Sequence, residues 1–410
     1  MSRPALWVLG LLLLAPWIFV GWMFKYPKSE RTVTPAIASP APSAQPSTPV
    51  TLRCKPGPWG ELEYSRILIE PPEDFVSDNF PDPKEIRWFF KGYTKEQLTA
   101  LWQSAGLDTT LLRLTGSTVN LEVVTDGIVV RATPEFVLGL SNPARTRLYT
   151  ALAAFPENHA QSEPFRFRAE GAGEWFENSG LSNETTAFVS KFLYRRGTSL
   201  IFSDCDAVLP RLESAEERSR FVKTLSRKST LLLKLRVRPD SDIETLARYW
   251  GRGPRSKDVK PLLQSAARLP GGTTIDVVHL LPKFARSLLY TYPLPSDNPA
   301  DANRDCFWTA LNFFKQEPET RFADIDFVKQ TLIQQYFPVP GESKLGDLLF
   351  FTRPDGTAVH ACVYVADDIV FTKNGLSFAM PWILMTLADV RAFYPADQPM
   401  EIRRFREKNL

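Results

Sequence analysis

The segment LGDLLFFTRPDGTAVHACVYVADDIVFTKNG, residues 345–375, carries the pattern that decides the fold of the C-terminal part of the chain. Its first two apolar runs are separated by the turn residues Pro-Asp-Gly, and the second run begins at His360 and stops at Asp367-Asp368. Apolar runs of this length between turn residues are typical of buried β-strands. The segment therefore predicts antiparallel strands, one of which begins with a histidine.

A candidate partner for this histidine lies upstream, in the segment ADANRDCFWTALNFFKQEP at residues 300–318. Asn303 or Asp305 can cap a helix whose first turn contains Cys306 and whose apolar residues recur at helical spacing. The positive end of a helix favours a thiolate, and a nearby imidazole can take the thiol proton. This pattern predicts Cys306 as a nucleophile and His360 as its base.

Packing is the alternative interpretation of Cys306, because free cysteines are among the most buried residues in proteins. The order of elements favours catalysis: the cysteine helix is followed by a second helix in ADIDFVKQTLIQQYF, then by the Gly-Asp strand and the histidine strand.

Together these motifs resemble the NlpC family of bacterial cell-wall cysteine peptidases, which have a papain-like α+β fold. The resemblance rests on Asp305-Cys306 at the start of a helix, on the run Gly346-Asp347-Leu-Leu-Phe-Phe, and on HACVYVADD from His360, and it covers roughly the last 120 residues. It implies a helix packed on an antiparallel sheet and a cysteine peptidase or amidase acting on cell-wall peptide. Phe307-Trp308 replace the Ser-Gly that usually follows the cysteine in the family. The resemblance therefore does not identify which peptide the chain would cleave.

The resemblance also suggests two substrate-binding candidates. A tyrosine upstream of the cysteine often supports the site in this family, and Tyr292 is the nearest one in this chain. Asp305, immediately before the nucleophile, is the second candidate.

The third catalytic residue follows from strand geometry. If residues 366–368 form a hairpin tip, counting outward from it places His360 opposite Asn374. Thr372 and Asn374 then share one face of their strand, and Lys373 points away. An amide oxygen that accepts the imidazole N–H fixes the tautomer. We predict Asn374, with Thr372 as the alternative if the turn slips; a type I′ turn is the non-catalytic interpretation of Asn-Gly.

Three further residues near these motifs have structural interpretations. Asp347 is predicted to orient a strand end, and Cys362 to be a packed thiol. In an oxidising compartment Cys54 and Cys205 form the only pair of cysteines that would spare both thiols of the site region.

The N-terminus predicts a membrane anchor. Residues 4–24, PALWVLGLLLLAPWIFVGWMF, carry no charge over about 20 residues, the length that spans a bilayer core. A cleaved signal peptide is the alternative. We therefore predict an anchor at 1–25, a Pro/Ala/Ser-rich linker at 26–52, and a single-pass membrane protein whose globular part lies in the periplasm or cell envelope.

The remaining sequence predicts an α+β accessory region of one or two domains at 53–290, before a C-terminal domain at 291–410. A formal net charge of +3 with mixed signs does not suggest nucleic-acid binding. No cluster of histidines, cysteines and carboxylates has the spacing of a metal site, and no cofactor is predicted.

Three functions fit these observations. The first is a membrane-tethered cysteine hydrolase acting on cell-wall peptide or another envelope amide. The second is a catalytically inactive NlpC-like binding or scaffold protein. The third is a cysteine-dependent acyltransferase, because a thioester can be passed to an amine or alcohol instead of water.

Overall fold

The computed structural model describes residues 50–72, 83–112, 118–168, 172–197, 199–252, 255–294, 304–377, 379–394 and 400–409. They form the predicted α+β fold. Across these ranges no helix is both long and apolar enough to cross a membrane, and the helices reach 12 residues where a span needs about 20. The predicted transmembrane helix and the membrane localisation are therefore not supported. The proposed anchor at 1–25 and the linker up to residue 49 lie outside the described residues.

The strands and helices alternate along the described chain. The strands are β1 Thr51–Arg53, β2 Glu61–Ile69, β3 Ile86–Lys91, β4 Val119–Val124, β5 Gly127–Ala132, β6 Phe165–Arg168, β7 Tyr194–Arg196, β8 Ser199–Phe202, β9 Lys228–Val237, β10 Thr273–Asp276, β11 Tyr336–Pro338, β12 Leu348–Thr352, β13 Ala358–Ala366, β14 Ile369–Lys373, β15 Trp382–Thr386 and β16 Glu401–Glu407.

The α-helices are short. They are α1 Lys95–Ser104, α2 Pro134–Leu138, α3 Asn142–Leu152, α4 His159–Ser162, α5 Ala172–Phe176, α6 Asn183–Ser190, α7 Cys205–Val208, α8 Ala215–Ser226, α9 Ile243–Trp250, α10 Ser256–Ala267, α11 Lys283–Leu288, α12 Cys306–Leu311, α13 Ile325–Gln335 and α14 Leu387–Phe393.

The described residues from 72 to 227 form one compact unit. It contains two three-stranded antiparallel sheets, ordered β3-β5-β4 and β6-β8-β7. A capping box begins α1, since Thr94 Oγ1 accepts from the Gln97 N–H at 3.3 Å and Gln97 Oε1 accepts from the Thr94 N–H at 2.9 Å. The Ser141 hydroxyl caps α3 by accepting from the Ala144 N–H.

The second unit contains residues 50–71 and 228–409. One of its sheets is antiparallel with the order β1-β2-β9-β10, and β2 pairs with β9 from Glu61↔Arg236 to Ile69↔Lys228. Leucines of β9 pack against α9 and α10 in the same apolar cluster as the core of the C-terminal strands.

These boundaries differ from the predicted ones. Residues 228–290, predicted as part of the accessory region, belong to the same unit as the C-terminal residues, and so do residues 53–71. Thr51 and Leu52, predicted as linker, begin β1. The predicted boundary between residues 290 and 291 therefore lies inside one compact unit.

The sheet that carries the candidate site is antiparallel, with the strand order β11-β16-β12-β13-β14-β15. Gly346 explains the Gly-Asp that precedes β12. Its φ is +86°, and an added Cβ would lie 2.0 Å from the Phe314 ring. Any other residue would be strained there, so the glycine allows the cysteine-bearing segment to approach the sheet closely.

Side chains along β13 alternate between the two faces of this sheet. Ala361 and Val363 belong to the apolar cluster that also contains Trp308 and Leu311 of α12. Cys362 and Tyr364 belong to a second cluster with Val390 of α14. We call these the α12 face and the α14 face of the sheet.

Candidate active site

Cys306 is the first residue of α12, as predicted, and its side chain is buried. Asp305 caps the helix, since its Oδ1 accepts from the Trp308 N–H at 2.8 Å. The backbone N–H of Ala361 in β13 interacts with the Cys306 sulfur. Because α12 has only six residues, few peptide dipoles add up at its start, and the predicted help from the helix macrodipole is small.

His360 begins its buried stretch of β13, as predicted, and is fully enclosed. Its Nε2 lies 3.0 Å from Thr372 Oγ1 in β14. Its ring stacks on Tyr394, which follows α14, with centroids 4.4 Å apart and planes inclined by 26°. Among the described residues, His360 Nδ1 has no hydrogen-bond partner although it is buried.

The structure does not join the predicted catalytic pair by a hydrogen bond. His360 lies on the α14 face with Phe351 and Tyr394, whereas α12 packs on the other face, where Phe307 contacts Phe350 with ring centroids 5.8 Å apart. The two groups approach the sheet from opposite sides. The backbone N–H of Ala361, the residue that follows His360 in β13, acts to lower the pKa of the Cys306 thiol.

The pairing between β13 and β14 explains why the Ala361 N–H is available to the Cys306 sulfur. Its pairs run from Ala366↔Ile369 to Val363↔Phe371, with a register irregularity between Tyr364 and Ala366. Beyond Val363 no pair joins the two strands, so the Ala361 N–H is left for the thiol.

The residue that contacts the imidazole differs from the first prediction. Thr372, the stated alternative, contacts the imidazole, whereas the Asn374 amide nitrogen donates to Met385 Sδ at 3.1 Å. The Asn374 side-chain oxygen is buried without a partner in the described part of the chain. In the tautomer that carries the proton on Nε2, the Thr372 hydroxyl accepts this proton and orients the imidazole as an amide would, and Nδ1 is then the basic nitrogen.

Burial sets the ionisation of both groups. Desolvation, and secondarily the Asp305 carboxylate, raise the pKa of the Cys306 thiol to about 12. Desolvation lowers the pKa of His360 to about 3. Both groups are therefore neutral near pH 7, and the predicted thiolate–imidazolium pair is not present in this structure.

Sequence analysis missed Lys373, which it placed away from the site. Lys373 follows Phe371 on the α12 face, is fully buried, and lies 5.9 Å from the ring centroid of Trp382. Asp305 and Cys306 are its charged or titratable neighbours on the cysteine helix. A lysine at the end of the otherwise apolar run IVFTK, in a strand buried on both faces, was the available sequence signal.

Tyr394 was also missed, and no sequence pattern pointed to it. Its ring covers the imidazole although it is 34 positions from His360, because β15 and α14 return the chain to the α14 face. Long-range packing of this kind leaves no local periodicity.

The two predicted substrate-binding residues serve the fold. The Tyr292 hydroxyl donates to the Ile69 carbonyl at 3.0 Å and the side chain is buried. Asp305 is the cap of α12. Neither residue therefore presents a polar group whose described contacts suggest substrate binding.

Asp347 has the structural role predicted for it. Its carboxylate is fully buried and receives two hydrogen bonds from Arg406, at 2.8 and 2.6 Å, and one from Arg252 at 3.2 Å. The Lys344 N–H donates to it at 2.8 Å. Cys362 is a packed thiol on the α14 face. Cys54, Cys205, Cys306 and Cys362 are all free, so the conditional Cys54–Cys205 pair is not formed.

The buried His360 and Lys373 predict a defined pH dependence of stability. The folded pKa of His360, about 3, lies below its unfolded value of about 6.5, so the unfolded state binds more protons between these values. Its contribution to the free energy of unfolding is complete above pH 6.5 and decreases towards pH 3. The pKa of Lys373 falls to about 7 through burial, so the same sign applies between pH 7 and about 10.5.

Urea denaturation at pH 4–10 measures both effects. We expect His360→Gln to reduce the acid slope of the free energy of unfolding, and Lys373→Met to reduce the alkaline slope, each by about 1.4 kcal/mol per pH unit at most. His159→Gln is the matched control for the histidine, because His159 is the half-buried first residue of the short helix α4. Equal slopes in the wild type and both site variants would contradict this assignment.

Comparison with known proteins identified no relative of this chain. A scan of protein-family models, a search of curated proteins and a search of solved structures each gave no match to the chain.

Proposed function

We propose that residues 304–409 contain a cysteine hydrolase of the peptidase or amidase type, with Cys306 as nucleophile, His360 as proton acceptor and Thr372 as the residue that orients His360. The substrate would be an amide bond of a peptide, with cell-wall peptide as the first candidate because of the resemblance of the motifs to the NlpC family. The structure corresponds to a resting site in which both reacting groups are neutral.

The observation that carries the proposal is the Nδ1 of His360, which is buried and has no hydrogen-bond partner among the described residues. A buried polar atom without a partner costs stability, and such atoms concentrate at functional sites. The same ring contacts Thr372 through Nε2, and the backbone N–H of its neighbour in β13, Ala361, acts to lower the pKa of the Cys306 thiol. One nitrogen is therefore anchored and the other is free to accept a proton.

The proposed reaction uses these groups in a fixed order. The thiol proton passes to His360 Nδ1, and the sulfur keeps the electron pair and attacks the carbonyl carbon of the substrate. The imidazolium then donates the proton to the leaving amine, and water hydrolyses the thioester. Catalytic hydrogen bonds are often long before substrate binds, so a closer approach of Cys306 and His360 is expected in the substrate complex.

A non-catalytic binding module is the second candidate. It is favoured by one observation, the placement of α12 and His360 on opposite faces of the sheet with both groups neutral. A thiol and an imidazole that only fill space would show this arrangement.

Labelling with a peptidyl vinyl sulfone separates the two candidates, because this electrophile needs an activated thiol. We expect the full chain to be labelled at Cys306 near pH 7, as located by peptide mass mapping. Thr372→Val keeps the side-chain shape but removes the hydroxyl, and should slow labelling about 10- to 100-fold, as is usual for residues that orient a functional histidine.

Thr352→Val is the matched control, since Thr352 is also a buried strand threonine and its hydroxyl donates to the Glu401 carbonyl at 3.3 Å. Its labelling rate should equal that of the wild type. A wild-type chain that binds muropeptides but is never labelled at Cys306 would refute the hydrolase and support the binding module.

A further inference from the structure

A buried lysine on the α12 face has no role in the reaction described above. Lysine is almost never fully buried unless its ammonium is paired, yet Lys373 is completely enclosed at the end of β14. Its Nζ donates to the Gly375 carbonyl at 2.6 Å and to the Ser377 carbonyl at 3.2 Å. Two neutral carbonyl groups fix the position of the ammonium without cancelling its charge.

A residue that contacts Lys373 is hydrogen-bonded to the cysteine helix. Its Nζ lies 5.9 Å from the ring centroid of Trp382, whose indole N–H donates to Thr309 Oγ1 of α12 at 3.0 Å. The neighbouring indole is thereby tied to the helix that begins with Cys306. Side chains alternate along β14, so Lys373 lies on the α12 face with Phe371. His360 of β13 lies on the α14 face.

The charged and titratable groups that face Lys373 are Asp305, Cys306 and Arg304. The Asp305 carboxylate caps α12 through the Trp308 N–H, and the Arg304 guanidinium stacks on the Trp308 ring at 5.1 Å from its centroid. The Asp305 carboxylate has the larger effect on Lys373, and the Cys306 thiol is the next group on α12 whose ionisation would gain from this cation.

We propose that Lys373 is a positioning residue that stabilises the thiolate of Cys306 by holding a fixed ammonium on the α12 face of the sheet. This inference rests on the proposed hydrolase and assigns separate tasks to two residues. His360 receives the proton from one side of the sheet, whereas Lys373 in its protonated form supplies the compensating charge from the other. No bond to Lys373 forms or breaks.

The electrostatics of the site agree with this assignment. The Lys373 ammonium acts to lower the pKa of Cys306 against the larger effects of burial and of the Asp305 carboxylate, and Cys306 acts reciprocally on Lys373. Admission of water with the substrate would weaken the effect of burial, and the attraction to the ammonium would then favour the thiolate.

Alkylation of Cys306 tests the proposal without a hydrolase assay. The full chain is treated at pH 6–10 with neutral iodoacetamide or anionic iodoacetate, and the rate at Cys306 is followed by peptide mass mapping. We expect Lys373→Met to slow the reaction with iodoacetamide at least tenfold at pH 6, where Lys373 is protonated. The ratio of the iodoacetate rate to the iodoacetamide rate should also fall at least fivefold, since the anion loses its attraction to the ammonium.

Lys315→Met is the matched control, because Lys315 follows the cysteine helix but is partly exposed and lies 3.9 Å from Glu407. It should change neither rate. Should Lys373→Met fail to fold, the wild-type chain still gives an answer, because the iodoacetate preference of Cys306 should fall as the pH rises through the pKa of Lys373, about 7, while that of half-buried Cys54 stays constant.

If folded Lys373→Met were alkylated at Cys306 with the wild-type rates and the wild-type reagent preference, the role of Lys373 would be refuted. The proposed hydrolase would be unaffected. A pH-independent reagent preference of wild-type Cys306 would do the same. If the wild-type chain were not labelled by the vinyl sulfone at Cys306, the proposed hydrolase would be refuted, and the role of Lys373 with it.

Discussion

We expect Cys306→Ala to abolish hydrolysis of muropeptides while the chain remains folded. Removal of the nucleophile removes the covalent route, which typically costs a factor of at least about 1000 in turnover. The fold should lose only about 1–2 kcal/mol, because one buried sulfur atom is deleted from the core. Turnover is measured by mass spectrometry of released peptides, and stability by urea denaturation.

Cys205→Ala is an unusually close control for this variant. Cys205 is also a buried free thiol at the first position of a short helix, and it also follows an aspartate, Asp204. It should lose a similar amount of stability but keep full turnover. If Cys306→Ala retained wild-type turnover, Cys306 would not be the nucleophile, whatever the effect of Cys205→Ala.

We expect Asp347→Ala to destabilise the second unit by about 3–5 kcal/mol, the usual cost of removing one partner from a buried ion pair. The change would leave the guanidinium groups of Arg252 and Arg406 mostly buried and without their carboxylate. It would also remove the acceptor of the Lys344 N–H, and so the turn that sets up β12. The measurement is the urea midpoint of the full chain.

Asp355→Ala provides the matched control in the next turn of the same hairpin. Asp355 is exposed, and its carboxylate accepts from the Thr357 N–H at 2.8 Å. Its loss should cost less than about 1 kcal/mol, as for most exposed polar substitutions. A midpoint for Asp347→Ala as high as that for Asp355→Ala would show that the buried network does not hold the strand end.

Local signals in the sequence were sufficient for most of the secondary structure. The capping box at Thr94, the Asp126-Gly127 turn between β4 and β5, and the apolar runs of β12 and β13 depend on residues within a few positions of each other. Such short-range chemistry determines where elements begin and end. Cys306 at the first position of a helix and His360 on a strand follow for the same reason.

The boundaries of the compact units could not be predicted in this way. β2 and β9 are paired along nine residues although about 160 positions separate them, and this pairing joins residues 50–71 to the C-terminal unit. No composition change accompanies the pairing, because both strands belong to an ordinary half-buried sheet. Chain order alone suggested a continuous accessory region that the structure divides.

The sequence by itself determined the candidate residues, the α+β class and the elements that carry Cys306 and His360. The tertiary structure alone decided which face of the sheet each side chain occupies, and so brought Thr372 instead of Asn374 to the imidazole and Lys373 to the cysteine helix. The physical reason is the two-residue period of a strand: which covering helix meets which face depends on packing between distant segments, and that information is not local.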